Sequence, residues 1–254
     1  MKHQLTRKQA LRLTLLLTAA LPASLRAQST TLSQVVDMDT YVSSGQPTVN
    51  FGTMGAMEIA VPTSAQNRTE ESLIQFNTAT LESDFNADYG AGNWAVTGVT
   101  LTLYSNFGTA GEQPGNSSFN QIAAGGFELD WLSNNSWSET AITWNSLSSV
   151  LPGTGNNTLD SLGDFNFLAN GTSPNTWTLG LDPNLVGEIT SGAPVSIFGQ
   201  PTAGSTVGYL FNTLNNNPAV LNVTVTEVPE PTALALSAFG LAGLGAIRRW
   251  KNQK

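Results

Sequence analysis

The chain has no cysteine, a single histidine, and almost no positive charge away from its ends. Between Gln28 and Val228 the only base is Arg68, set against 17 acids, so this body carries a net charge of −16. The histidine, His3, lies in the N-terminal segment. A body without His, Cys or Lys builds no Ser-His-Asp triad, no Cys-His pair, no Schiff-base lysine and no His/Cys zinc site. Nucleic acid is excluded as a partner, because phosphate binding rests on clustered Lys and Arg. Charged residues of either sign make up only 11% of the chain, about half the usual share. Four possibilities survive: carboxylate chemistry, hard-cation binding through oxygen ligands, binding of neutral ligands by aromatic rings, or no chemistry.

What is present divides the 254 residues into three parts, 1–27, 28–227 and 228–254. Residues 1–27 hold five of the ten bases and the apolar run Leu13–Ala23. They read as a secretory signal helix with a cut after Ala27, although Leu25 is large for its place in such a site. Bases on one side and Pro22 on the other argue against a buried N-terminal helix. Export would place the body where disulfides are permitted, so its core is expected to hold without them.

The third part opens with Val228-Pro229-Glu230-Pro231, continues through the uncharged run Thr232–Ile247, and closes with Arg248-Arg249-Trp250-Lys251. As a helix the sixteen-residue run would reach about 24 Å, slightly short of a hydrocarbon core of ~30 Å. The trailing bases keep that end on the cytoplasmic side and leave the acidic body outside. This tail resembles the PEP-CTERM sorting signal of Gram-negative bacteria. The resemblance implies that an exosortase recognises Pro229, Glu230 and Pro231, with Arg248 and Arg249 as the stop. It also implies membrane contact through the C-terminal hydrophobic helix before processing, then delivery to the cell surface or extracellular matrix.

Within the body, apolar and polar residues alternate with period two. In Val96–Tyr104, Val99, Leu101 and Leu103 oppose Thr100, Thr102 and Tyr104. In Leu221–Thr226, Leu221, Val223 and Val225 oppose Asn222, Thr224 and Thr226. In Val36–Val42, Val36, Met38, Thr40 and Val42 oppose Asp37, Asp39 and Tyr41. Further strands are expected at 57–61, 72–77, 127–131, 141–145, 176–181, 195–198 and 209–212. Short strands separated by Gly, Asn, Ser and Pro argue for an all-β antiparallel sandwich. One helix is expected outside the termini, over 184–191, with Asp182 as N-cap, Pro183 at its first position and Gly192 at its end. The polar stretches 78–93, 106–120 and 152–163 are expected to be mobile loops.

Four patches of the body share an order. They are Asp39-Thr40-Tyr41-Val42 leading to Asn50-Phe51-Gly52; Arg68 with Leu73-Ile74-Gln75-Phe76; the segment Val96–Tyr104; and Trp137-Ser138-Glu139-Thr140-Ala141-Ile142-Thr143-Trp144-Asn145. Together they resemble the DNRLRE-type domains of bacterial surface proteins, which implies a jelly-roll-like β-sandwich related to carbohydrate-binding modules. The segment after Arg68, Thr-Glu-Glu, departs from that pattern.

Candidate sites follow from the surviving chemistries. Asp37 and Asp39 share a strand face about 7 Å apart and could help ligate Ca2+, the one cofactor the composition leaves open, though a solvated strand face explains the same pattern. Trp94, Trp131 and Trp137 lie in or beside Asn/Gly/Ser-rich loops, where a ring can stack on the apolar face of a sugar. Trp144 and Trp177 alternate with core positions and are expected inside. Arg68 is either the centre of an ion pair or a ligand-facing fork. Catalysis by paired carboxylates needs two acids across a cleft, and nothing in the sequence positions such a pair, so the body is read as non-catalytic. The leading reading is a surface or matrix protein that binds polysaccharide. The charge of −16 favours a neutral or cation-bridged glycan over a bare uronate polymer. The alternatives are a structural biofilm protein with no discrete ligand and a carboxylate-based polysaccharide-degrading enzyme.

Overall fold

The computed structural model describes residues 28–64, 66–106, 122–153 and 155–228. The expected signal helix, the C-terminal hydrophobic helix and most of the 106–120 loop lie outside the described residues. Among the described residues, eleven strands and three helices run in the order β1 (Ser29–Val35), β2 (Met38–Ser43), β3 (Ala56–Ala60), β4 (Glu70–Asn77), α1 (Ala79–Tyr89), β5 (Trp94–Leu103), β6 (Gly125–Leu132), α2 (Trp144–Leu147), β7 (Leu159–Phe167), β8 (Asn175–Leu179), α3 (Pro183–Ser191), β9 (Pro194–Pro201), β10 (Gly208–Asn212) and β11 (Val220–Glu227). A small sheet has the order β1-β11-β5-β8, and a large one β10-β3-β4-β9-β6-β7, with β2 also paired to β4. Every strand pair is antiparallel.

The alternation in β5 and β11 is realised as read. Val99, Leu101 and Leu103 join Leu221, Val223 and Val225 in the core between the sheets, opposite Ile74, Phe127, Leu129 and Ile197. Tyr209 anchors an aromatic row there, stacked on Phe167 at 4.1 Å and tilted against Phe127 at 5.6 Å. The helix over Pro183–Ser191 also forms as expected. Asp182 Oδ1 accepts from the amides of Asn184 at 2.7 Å and Leu185 at 3.2 Å, and Gly192 closes the helix at φ 68°, a left-handed conformation that favours glycine.

The large sheet departs from expectation because both of its faces are covered. Val42, Leu73, Leu132 and Phe198 point away from the small sheet into a second apolar cluster with Trp137, Ile142, Leu147 and Val150. These last four come from the connection between β6 and β7, which lies over the sheet. In β2 both sides are therefore buried, and the expected solvent face is not solvent: Asp39 and Tyr41 are buried with Thr40 and Val42.

The expected strand over 141–145 is instead the entry to α2. Thr143 caps it in a reciprocal box with Ser146, and the Asn145 amide donates to Pro47 O at 2.9 Å rather than to a strand. The 78–93 stretch holds the 11-residue helix α1, so the 183–191 helix is not alone. Its N-cap position, Thr78, makes no capping bond and donates instead to Ala193 O at 2.6 Å. Leu81 and Phe85 carry its burial. The stretch 152–163 gives way to β7 from Leu159 onward.

Asn50 fastens the covering connection. Its Nδ2 donates to Glu139 O at 2.8 Å and to Ile142 O at 2.7 Å, while its Oδ1 accepts from the Gly52 amide at 3.2 Å. A Cβ on Gly52 would sit 2.1 Å from Glu139 O, so only glycine allows this approach. Asn50→Ala removes two hydrogen bonds to partly buried carbonyls and is expected to cost about 2 kcal/mol. Thermal unfolding of the body should show a midpoint lowered by about 5 °C with β content retained below it. An unchanged midpoint would count against the clasp.

Candidate ligand faces and the sorting terminus

Trp94, Trp131 and Trp137 are 8%, 6% and 5% exposed, and each spends its indole N–H inside the protein. Trp94 Nε1 donates to Asn86 Oδ1 at 2.8 Å, and its ring packs on Phe85. Trp131 Nε1 donates to Glu188 Oε2 at 2.6 Å. Trp137 Nε1 donates to Ser196 Oγ at 3.0 Å, which also accepts from Gln75 Nε2 at 2.9 Å. Trp94 and Trp131 belong to the inter-sheet core and Trp137 to the second cluster, so the three rings share no surface. Trp144 and Trp177, expected inside, are half-buried and pack against those clusters from their margins.

Arg68 is buried, with Nε 2.8 Å from Glu70 Oε1 and Nη2 donating to Gln66 Oε1. Of its two sequence readings, the geometry matches the ion pair. Asp37 and Asp39 are split by environment. Asp37 is exposed and accepts the Asn77 amide at 2.6 Å; Asp39 is buried and accepts the Leu214 amide at 2.5 Å. Burial pushes the Asp39 carboxyl up to about 7, against the Leu214 hydrogen bond and with a further push from the charge of Glu139. One exposed carboxyl tied to an amide and one buried carboxyl that holds its proton to about pH 7 make a poor Ca2+ pair. Among the described residues, no three His, Cys, Asp or Glu side chains converge in a way that could hold a metal ion.

Sequence reasoning missed Glu188 on α3. It accepts from Trp131 and, through Oε1, from Asn135 Nδ2 at 2.6 Å, and burial raises its pKa. Asn135 O in turn accepts from Gln75 Nε2 at 3.1 Å. This network joins α3 to the start of the covering connection and to the large sheet. An acid on the inward side of an amphipathic helix is a signal that could have pointed to it.

The outward faces of the two sheets differ in charge. On the large sheet, beside the second cluster, Glu128 lies opposite Gln200 on one side and Asp164 on the other, and Asp130 follows two residues along. Gln200 Nε2 donates to Asp130 Oδ2 at 3.0 Å. Burial, then the charge of Glu128, pushes Asp130 up to about 6, and burial pushes Glu71 up to about 7. These acids lie on a sheet face, not across a cleft. The cavity between the sheets, about 10 Å3 and lined by Ile59, Ile74, Leu129 and Phe211 among others, has room for one water at most.

The small sheet presents an uncharged face. Ser33, Asn222, Thr100 and Thr178 form one cross-strand row, and Val35, Val220, Thr102 and Thr176 form the next. Ser33 Oγ donates to Asn222 Oδ1 at 2.7 Å, Asn222 Nδ2 donates to Thr100 Oγ1 at 3.2 Å, and Thr102 and Thr176 share a hydroxyl bond at 3.0 Å. Neither row carries a charge.

The two ends of the described chain meet at one end of this sheet. The Glu227 amide donates to Gln28 O at 2.9 Å, and the Val228 amide donates to Asn93 O at 2.8 Å. Residues 227–249 match the PEP-CTERM protein-sorting motif. The PEP-CTERM match thus begins on the last residue of β11. It marks an exported protein, sorted to the envelope or surface, and a substrate for exosortase processing. No curated protein matches the chain.

The raised acids set the pH dependence. Asp39 and Glu71 at about 7 and Asp130 at about 6 lie above their ordinary values. They hold protons more tightly when folded, so the stability they contribute is fully present below the unfolded pKa and is lost as pH rises through the folded one. The body is expected to melt higher at about pH 5 than at about pH 8, with Asp39→Asn flattening the slope. Melting curves across that range check it, and a midpoint that climbs with pH would contradict it.

Proposed function

We propose that the chain is an exported, non-catalytic surface or extracellular-matrix protein in which the sandwich is a structural module. The observation that supports this best is the fate of the three candidate tryptophans, all buried with their N–H groups used internally. An aromatic sugar platform needs reachable faces, and these rings do not offer them. The body's lone base, Arg68, is likewise engaged with Glu70. A Gram-negative source and placement in the matrix belong to the same reading, through the resemblance of the tail.

A second reading is favoured by the uncharged rows of the small sheet. Hydroxyl and amide groups without charge suit a neutral polysaccharide, whereas the net charge of −16 on the body disfavours a uronate chain unless a cation bridges them. The resemblance of the body to DNRLRE-type domains supports polysaccharide as the ligand class, with the jelly-roll arrangement that such domains imply.

In a host with an exosortase, Glu230→Ala and truncation after Glu227 are each expected to abolish surface delivery while leaving the body folded. Full delivery of the truncated chain would overturn the sorting half of the proposal. A glycan array with the mature body, with and without Ca2+, separates the two readings. Retention of neutral glycans that is lost in Thr100→Asp would establish the second, and no retention leaves the structural module. Release of reducing ends from any polysaccharide would overturn the non-catalytic reading.

A further inference from the structure

We propose that exosortase engages the Pro229-Glu230-Pro231 signal only after the end of β11 has left the small sheet. The inference rests on the sorting reading and adds a condition on it that the fold imposes.

β11 is an internal strand, paired with β1 on one side and β5 on the other, and its pairing with β5 runs to Glu227 opposite Trp94. The Glu227 amide is committed to Gln28 O and the Val228 amide to Asn93 O. Both partners are themselves placed. Gln28 leads directly into β1, where Ser29 Oγ donates to Val225 O at 3.1 Å, and the Asn93 amide donates to Gly90 O at 3.1 Å. Trp94, opposite Glu227, is buried and bonded to Asn86. The next residue in the chain is Pro229. No spacer separates Val228, whose amide the sandwich holds, from the first residue of the signal.

A short peptide read by strand addition is taken in extended form, with hydrogen bonds to the backbone around the recognised residues. Here the residues on the N-terminal side already give their amides to Gln28 and Asn93. Proline offers no amide, so Pro229 adds no donor of its own, and those two bonds stand directly before the signal. Engagement then follows the fraction of molecules in which that boundary is open, as it does for any cleavage or capture that is slow relative to local opening. Opening only the end of β11 exposes few apolar groups, because Thr226 is half-buried and Glu227 exposed, whereas Val225 is core. The clasp is thus local, and the body need not unfold to release it.

The test follows processing of the full chain over time in a host carrying an exosortase. One variant inserts a Gly/Ser spacer of about six residues between Val228 and Pro229. Another, Ser29→Cys with Thr226→Cys, staples two residues that face each other across β1 and β11 in a chain that has no other cysteine. The spacer is expected to raise the processing rate on the order of tenfold, and the staple to lower it until a reductant is added. Equal rates in wild type and spacer variant overturn the inference, whether or not the staple forms. A slower spacer variant overturns it too, since it means that the enzyme docks on the folded end of the sheet at fixed spacing. If wild type and Glu230→Ala are both left unprocessed, the sorting reading itself has failed, and the inference with it.

Discussion

The structure depends on one constraint: over β2, β4 and β9 the large sheet is buried on both sides. Its inward side packs on the small sheet through Ile74, Phe127 and Ile197, and its outward side carries Val42, Leu73 and Phe198, which need a second cover. In a chain without disulfides that cover is held by packing and hydrogen bonds alone. The β6–β7 connection supplies Trp137, Ile142, Leu147 and Val150 for it, Asn50 fastens its backbone, and Gly52 lets the two segments come close. The patches that carried the resemblance to surface-protein domains, Asn50-Phe51-Gly52 and the run from Trp137 to Asn145, are the two halves of this clasp. Their common presence in the sequence therefore has a structural cause in this chain, independent of any ligand.

The same constraint explains the electrostatics. Covering both faces drives acids on β2, β4 and β6 into poor solvent, and the body has one base with which to pair them. Glu70 takes Arg68; Asp39 takes a backbone amide, and Asp130 a glutamine side chain. The remaining cost shows as carboxyls that hold their protons to near-neutral pH. Charge gathers on the outer side of the large sheet and leaves the small sheet with rows of Thr, Ser, Asn and Val. The net charge of −16 on the body repels polyanions, while the small sheet presents one neutral face, and its strand β11 runs into the sorting motif.

Legibility in the sequence followed burial. β5 and β11 read correctly because each has one face in the core and one in water, so the period-two signal is clean. α3 was legible through Asp182, Pro183 and Gly192, which act locally. β2 misled because burial on both sides gives its polar positions no solvent to face, and Asp39 looked like a surface acid. α1 carries only Leu81 and Phe85 on its buried side, too few to stand out from a polar loop. β1 has hydroxyls where a core strand would have aliphatics, and β7 is broken by Gly163 and two aspartates. The burial of the tryptophans is not legible for a related reason. Their neighbours are the small polar residues of loops, but Ser196 and Glu188, 59 and 57 residues away, and Asn86 on α1 are what draw the indoles inward. The tail was the most legible part, since its signal lies in composition and order and not in packing.

The double cover is also what takes Trp137 off the surface, so its permanence is the central claim. Native-state hydrogen exchange on the body tests it most directly. The amides of Leu147, Val150 and Leu151 are bonded within the covering connection, to Thr143 O at 2.9 Å and to Leu147 O at 3.0 and 3.2 Å. If the connection is part of one cooperative unit, these amides exchange only with the global unfolding that also releases β4 and β9. Their exchange through a low-energy opening, while β4 and β9 stay protected, would contradict the account and turn Leu73, Phe198 and Trp137 into a face that a ligand can reach.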